Sequence, residues 1–140
     1  MPQTTREQTD EEVARLEAQR KWVREHYEHN PEAAYATVSG KLAVVNTILE
    51  SGWVSPNETV KLQCLGVAFG DALAQDLGLR WVTVEDEHGT DPALIYDGQS
   101  IVVFPLTSIS KRIERGETVD VYNLFGEACK TILGAKNEQG

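Results

Sequence analysis

The sequence predicts an α+β domain of N-terminal helices, a three-stranded antiparallel meander and two C-terminal helices. Three observations predict it. Apolar residues recur at helical spacing as far as Gly78, alternate over a β-branched stretch from Trp81, and return to helical spacing after Pro105.

The first helix is expected to begin at Thr9. Thr9-Asp10-Glu11-Glu12 has the capping-box form, with Thr at the cap, Glu three residues on and acidic charge at the positive end of the helix dipole. Val13, Leu16, Arg20, Val23 and Tyr27 then share one face, with the Arg20 stem along the seam. Pro31 forces Asn30 out of the helical region and ends the element. A second helix is expected from Glu32 to Glu50, striped by Val38, Leu42, Val45 and Leu49, with Gly40 as its weak point. The third starts at Ser55-Pro56-Asn57-Glu58, read as a cap, a first-turn proline and a Glu at the third helical position, and stops at Gly78. Gly66, Gly70 and Ala74 lie four apart on it. In a water-soluble helix carrying Gln63, Asp71 and Asp76, that stripe predicts close packing on another element.

Trp81 to Glu85 alternates as a strand, and Glu87-His88-Gly89-Thr90 reads as a turn. A second strand is expected over Ala93 to Tyr96, and Asp97-Gly98 is a hairpin turn because both of its central residues need positive φ. Ser100 to Phe104 is the third strand, apolar on both faces. That predicts either helices over both faces or a free edge paired with another subunit. A helix from Pro105 to Arg115 carries Leu106, Ile109 and Ile113, and Asp120 caps a last helix bearing Leu124, Phe125, Ala128, Ile132 and Leu133. Residues 1–8 and 134–140 read as a flexible leader and tail around a single domain, 9–133.

Composition restricts the partners. The chain has 140 residues, with 22 Asp and Glu against 13 Lys and Arg and a formal charge of −9. Such acidity argues against nucleic acid as a partner and favours a protein with a basic surface. No apolar run reaches the ~18 residues of a membrane span, and MPQTTREQTDEE lacks the apolar stretch of a secretory signal, so a cytoplasmic protein is expected. Cys64 and Cys129 read as small hydrophobes in helical patterns. His26 and His29 share a helix face, but no second ligand pair follows them, so neither metal nor cofactor is expected.

Two clusters could form a binding surface. The acidic turn Glu85-Asp86-Glu87-His88-Gly89-Thr90-Asp91 lacks the ligand spacing of a calcium loop, and His88 has no nucleophile partner in a G-x-S-x-G elbow. A solvated turn is the simpler account. Lys111-Arg112 could contact an anion, but Glu114 and Glu117 interleave with the basic residues, as on a solvated helix face. Asp86 could also pair with Arg112 as a structural link. The expected binding residues are therefore Trp81, Glu85, Asp86, Glu87, Lys111 and Arg112, with no catalytic set.

The strings LGVAFGDALAQDLGLRWVTVEDEHGTDPALIY, IVVFPLTSISKRIERGE and VDVYNLF resemble a bacterial family known only as a domain of unknown function. The resemblance rests on LG-x-x-x-G (Leu65, Gly66, Gly70), Trp81, the turn with Asp86 and Gly89, FPL (Phe104, Pro105, Leu106) and the helix with Ile109, Lys111, Arg112, Glu114, Gly116 and Glu117. It spans residues 64–125 and leaves out the N-terminal helices. It implies a small α+β bacterial protein with no assigned catalytic residue, and an aromatic more often than His at position 88. The resulting expectation is a non-catalytic protein-binding domain of adaptor or immunity type, monomeric or dimeric through the edge of strand 100–104. The alternative is a small-ligand binder or enzyme with a pocket between the sheet and the Gly66/Gly70 helix, anchored by Asp86 and Arg112 with Trp81 as a wall.

Overall fold

The computed structural model describes residues 3–27, 29–96 and 101–139. In chain order these form β1 (Thr4–Arg6), α1 (Asp10–Arg24), α2 (Pro31–Tyr35), α3 (Val38–Ser51), α4 (Thr59–Leu77), β2 (Arg80–Asp86), β3 (Gly89–Ile95), β4 (Val102–Val103), α5 (Leu106–Glu114) and α6 (Val121–Gln139). The α+β class holds. The sheet has four antiparallel strands in the order β1-β2-β3-β4, one more than the sequence predicts. The extra strand comes from the stretch read as a leader: Thr4, Thr5 and Arg6 pair with Glu85, Val84 and Thr83. Its polar side chains carry no strand signal, and backbone hydrogen bonds hold it. At the other end, α6 continues through residues read as a tail.

Local chemistry explains the helix boundaries. The Thr9 box is complete, with Thr9 Oγ1 accepting from the Glu12 amide at 3.1 Å and Glu12 Oε1 from the Thr9 amide at 2.8 Å. Helix α1 ends before the expected proline, where the His26 ring nitrogen Nδ1 meets the Trp22 carbonyl at 2.8 Å and takes up a terminal acceptor. The expected second helix breaks at Thr37, whose hydroxyl caps α3 by accepting from the Gly40 amide at 2.9 Å. Gly40 itself is needed for space, since a Cβ there would lie 1.8 Å from the Ala34 carbonyl oxygen. Helix α4 starts at Thr59 and not at Pro56. Ser55 to Glu58 closes instead as a turn through Glu58 N to Ser55 O at 3.0 Å, because proline's fixed φ suits the second position of a turn as well as a first helical turn.

Helix α4 is the spine of the core. Leu62, Leu65, Val67, Ala68, Phe69, Ala72 and Leu73 are all essentially inaccessible. It packs against α1, α3, α5 and α6. Its small-residue stripe does what the spacing predicts. A Cβ at Gly66 would fall 2.5 Å from Leu106 Cα, and one at Gly70 would fall 2.7 Å from both the Trp81 ring and Pro105 Cγ. Both faces of the sheet bury apolar side chains. Leu94, Trp81 and Val103 join the main core, while Val82, Val84 and Ala93 form a second cluster with Ile95 and Val102. Strand β4 is therefore apolar on both faces because both are used, and it is shorter than the expected 100–104. It pairs only with Leu94 and Ile95, so β3 is open on that side at Pro92, where the missing amide costs no ladder bond. The expected Asp97-Gly98 turn lies outside the described residues.

Candidate functional site

Beside the core, α1, α2, α4 and β2 are tied together at one buried carboxylate. Asp71 accepts from Arg20 Nε at 2.6 Å and Nη2 at 2.9 Å, from Trp81 Nε1 at 2.9 Å, and from the Tyr35 hydroxyl. Its side chain is 11% exposed and that of Arg20 is 19% exposed, so the pair is largely desolvated. Burial works against the Arg20 charge, but the bonds from Asp71 outweigh it and hold the guanidinium above its ordinary value. Burial, then the neighbouring Asp71 charge, push the Tyr35 hydroxyl up. Lys41 lies 4.9 Å over the Tyr35 ring and donates to Gln75 Oε1 at 2.5 Å, with its ammonium lowered by burial. Every acceptor site on Asp71 faces a donor, so the cluster is a structural clamp. Sequence reasoning placed Arg20 on the α1 seam but did not find its partner. The available signal was an acid and a base, each set in an otherwise apolar helix face.

A recess of about 650 Å³ opens between α1, the sheet and α5. One wall is a second face of α1, where Glu12, Arg15, Leu16 and Gln19 recur at three-four spacing. The facing wall holds Phe104, Leu106, Thr107 and Lys111. Thr83, Thr90 and Pro92 supply the sheet side; Asp86 and Asp91 border it near the β2–β3 turn, with their side chains on the opposite, Val82/Val84 face of the sheet. Gln63 of α4 and Gln3 and Gln8 on either side of β1 complete the lining. Leu16 and Leu106 meet Val67 and Trp81 beneath the groove and give it a packed apolar base.

One pair in the groove has the look of a nucleophile and its base. The Thr83 hydroxyl donates to Glu12 Oε1 at 2.9 Å. That carboxylate also accepts from Arg6 Nη1 at 2.8 Å and from the Thr9 amide. The Arg6 bonds, followed by the Thr9 amide, lower Glu12 to about 2. A carboxylate so depressed is a poor proton acceptor at neutral pH, so Glu12 and Thr83 fix the wall and do not form an activated hydroxyl.

The six expected binding residues separate. Trp81 lies under the groove, bonded to Asp71 and packed beneath Gly70. Glu85 pairs at 3.1 Å with Arg6, which bridges it to Glu12. Asp86 borders the groove, and its Oδ1 accepts from the His88 amide at 2.8 Å in an Asx turn. Glu87 and His88 are exposed, 3.5 Å apart. Lys111 lines the groove, whereas Arg112 donates to the Ser108 carbonyl at 2.7 Å and lines a different recess of about 380 Å³ between β4, α5 and α6. Successive residues on a helix point about 100° apart, which is why the two cations part company. Asp86 and Arg112 border different recesses and, among the described residues, form no ion pair with each other, so the link considered from the sequence is not made. The space expected beside Gly66 and Gly70 is filled by the α5 backbone, Pro105 and Trp81.

Helices packed on an antiparallel sheet, with a polar groove between α1 and α5, define a small α+β domain. The chain belongs to the family described as a domain of unknown function, DUF3806, which matches residues 41–125. The α1 wall lies outside that match. A crystal structure from Bacteroides thetaiotaomicron shares the fold, with a TM-score of 0.77 at 17% identity over 91% of this chain and 47% of that one. The chain therefore spans about half the length of that protein. No curated protein matches the sequence. Among the described residues, no helix is long and apolar enough to cross a membrane.

Proposed function

We propose that this chain is a non-catalytic binding domain that seats its ligand in the groove between α1, the sheet and α5. The observation that carries the reading is the recess itself, whose volume of about 650 Å³ falls in the range of small-molecule and cofactor sites. Polar side chains from five elements face into it over an apolar base. The Glu12–Thr83 pair, its acid already committed to Arg6, supports binding over bond-breaking. This is the small-ligand alternative in a non-catalytic form, with the pocket between α1, the sheet and α5 in place of one beside Gly66 and Gly70.

The test is equilibrium dialysis of the purified protein against a bacterial cell extract, with retained compounds identified by mass spectrometry. Gln19→Trp and Thr107→Trp place bulk on opposite walls. The wild-type chain is expected to retain compounds that both variants release. Equal retention by all three proteins would contradict the reading, as would no retention by any of them.

A further inference from the structure

The charge of the groove narrows its ligand, an inference that rests on the binding reading above. Arg15 on α1 and Lys111 on α5 reach the groove from opposite walls. Among the described residues, neither side chain forms an ion pair or a hydrogen bond. The nearest acids along each helix do not take them up. Glu11 lies one turn before Arg15 without pairing to it, and Glu114, one turn after Lys111, accepts from the Thr59 hydroxyl at 2.8 Å. The remaining carboxylates around the groove are already bonded or point away from it. Arg6 holds Glu12 at 2.8 Å and Glu85 at 3.1 Å. Asp86 and Asp91 turn to the Val82/Val84 face of the sheet. The charges left to meet a ligand are two cations.

Two like charges facing one recess repel each other, and an anion beside them replaces that repulsion with attraction. The formal charge of −9 on the whole chain does not reverse this, because exposed charges more than about 8–10 Å away are largely screened at ordinary ionic strength. Much of the remaining lining is polar and uncharged. Gln3, Gln8, Gln19 and Gln63 reach the groove from four separate segments, and none of their side chains has a hydrogen-bond partner among the described residues. Each amide offers a carbonyl acceptor and two N–H donors, which suit hydroxyl groups that both donate and accept. We propose that the groove binds a small organic oxyanion. Its carboxylate or phosphate head lies at Arg15 and Lys111, and its hydroxyl-bearing body pairs with the glutamines.

The probes are sodium phosphate and sodium acetate, compared in amide NMR titrations with the dication putrescine. Either anion is expected to give saturable shifts at Arg15, Gln19, Thr107 and Lys111, and putrescine none. Tighter binding of phosphate than of acetate at neutral pH assigns a phosphate head, and the reverse assigns a carboxylate. Arg15→Gln and Lys111→Gln are each expected to weaken the preferred anion roughly fivefold, the upper scale of one exposed ion pair. Lys130→Gln makes the same charge change at an exposed position on α6, outside the groove lining, and is expected to leave the affinity unchanged. Arg15 and Lys111 are exposed and unpaired among the described residues, so their variants are expected to unfold at the wild-type temperature, which separates lost binding from lost folding. The compounds that the wild-type chain retains in the dialysis, and that both tryptophan variants release, are expected to be anionic and to carry hydroxyl groups. No saturable shift with either anion would overturn the proposal, as would equal shifts with putrescine, wild-type affinity in both groove variants or an equal loss in Lys130→Gln. Groove-dependent retention of only neutral or cationic compounds would remove the oxyanion and leave the binding reading in place.

Discussion

At Asp71, four donors from three other elements converge on one carboxylate, and its removal tests how much the clamp contributes. Breaking a buried pair from one side leaves an uncompensated charge, which costs about 3–5 kcal/mol. Asp71→Ala is therefore expected to lower unfolding stability by that order in a urea titration. Lys130→Ala, at an exposed position within α6, is expected to change it by less than about 0.5 kcal/mol. A second residue-scale effect concerns acid. Glu12 titrates at about 2 in the folded chain against 4.5 ordinarily, and Glu17 and Glu58 are lowered too, chiefly by bonds from Arg24 and Lys61. A carboxylate depressed by folding contributes fully above its unfolded value and loses that contribution as pH falls through its folded one. Stability is expected to fall between pH 4.5 and about 2, and Glu12→Gln to make the fall shallower when urea midpoints are compared across that interval. The Thr9 box was legible in the sequence because both halves lie within four residues. The Asp71 clamp was not, since its partners Arg20 and Tyr35 are 51 and 36 residues away.

Helix-to-helix distance is where the glycines act. Gly66→Ala would drive a Cβ to 2.5 Å from the α5 backbone, and a backbone atom cannot rotate aside as a side chain can. Overpacking of this kind costs about 1–3 kcal/mol. Gly126→Ala on α6 meets nothing within 4 Å and is expected to stabilise the chain, because alanine is the better helix former by about 1 kcal/mol. The two substitutions are chemically identical and should shift thermal unfolding in opposite directions. Equal shifts would remove close α4–α5 packing from the account. The stripe was legible as a period of small residues, but the element filling it was not, because a contact between distant segments leaves no trace in either one's spacing. The helix starts show the same limit. Thr37 and Pro56 each fit two local structures, and only the surrounding fold selects between them.

Over the whole molecule, the change of period at Trp81 made the α+β class readable, and the capping residues fixed several element ends. Strand β1 was missed because Thr-Thr-Arg offers no apolar alternation, and its place depends on backbone pairing with β2. The groove was missed for a related reason. It is built from polar residues of α1, α4, α5, the sheet and the segments flanking β1, none of which forms a motif by itself. Lys111 was singled out in the sequence and lines the groove, while Gln19, Gln63 and Arg15 become visible as its lining only once the walls are assembled. The most direct test is an amide NMR titration of the wild-type chain with a compound that it retains in the dialysis and both tryptophan variants release. Binding in the groove predicts saturable shifts at Gln19, Gln63, Thr107 and Lys111, with Ser108, Arg112 and Glu127 in the neighbouring recess unmoved. Shifts centred on that second recess, or none at saturating compound, would contradict it.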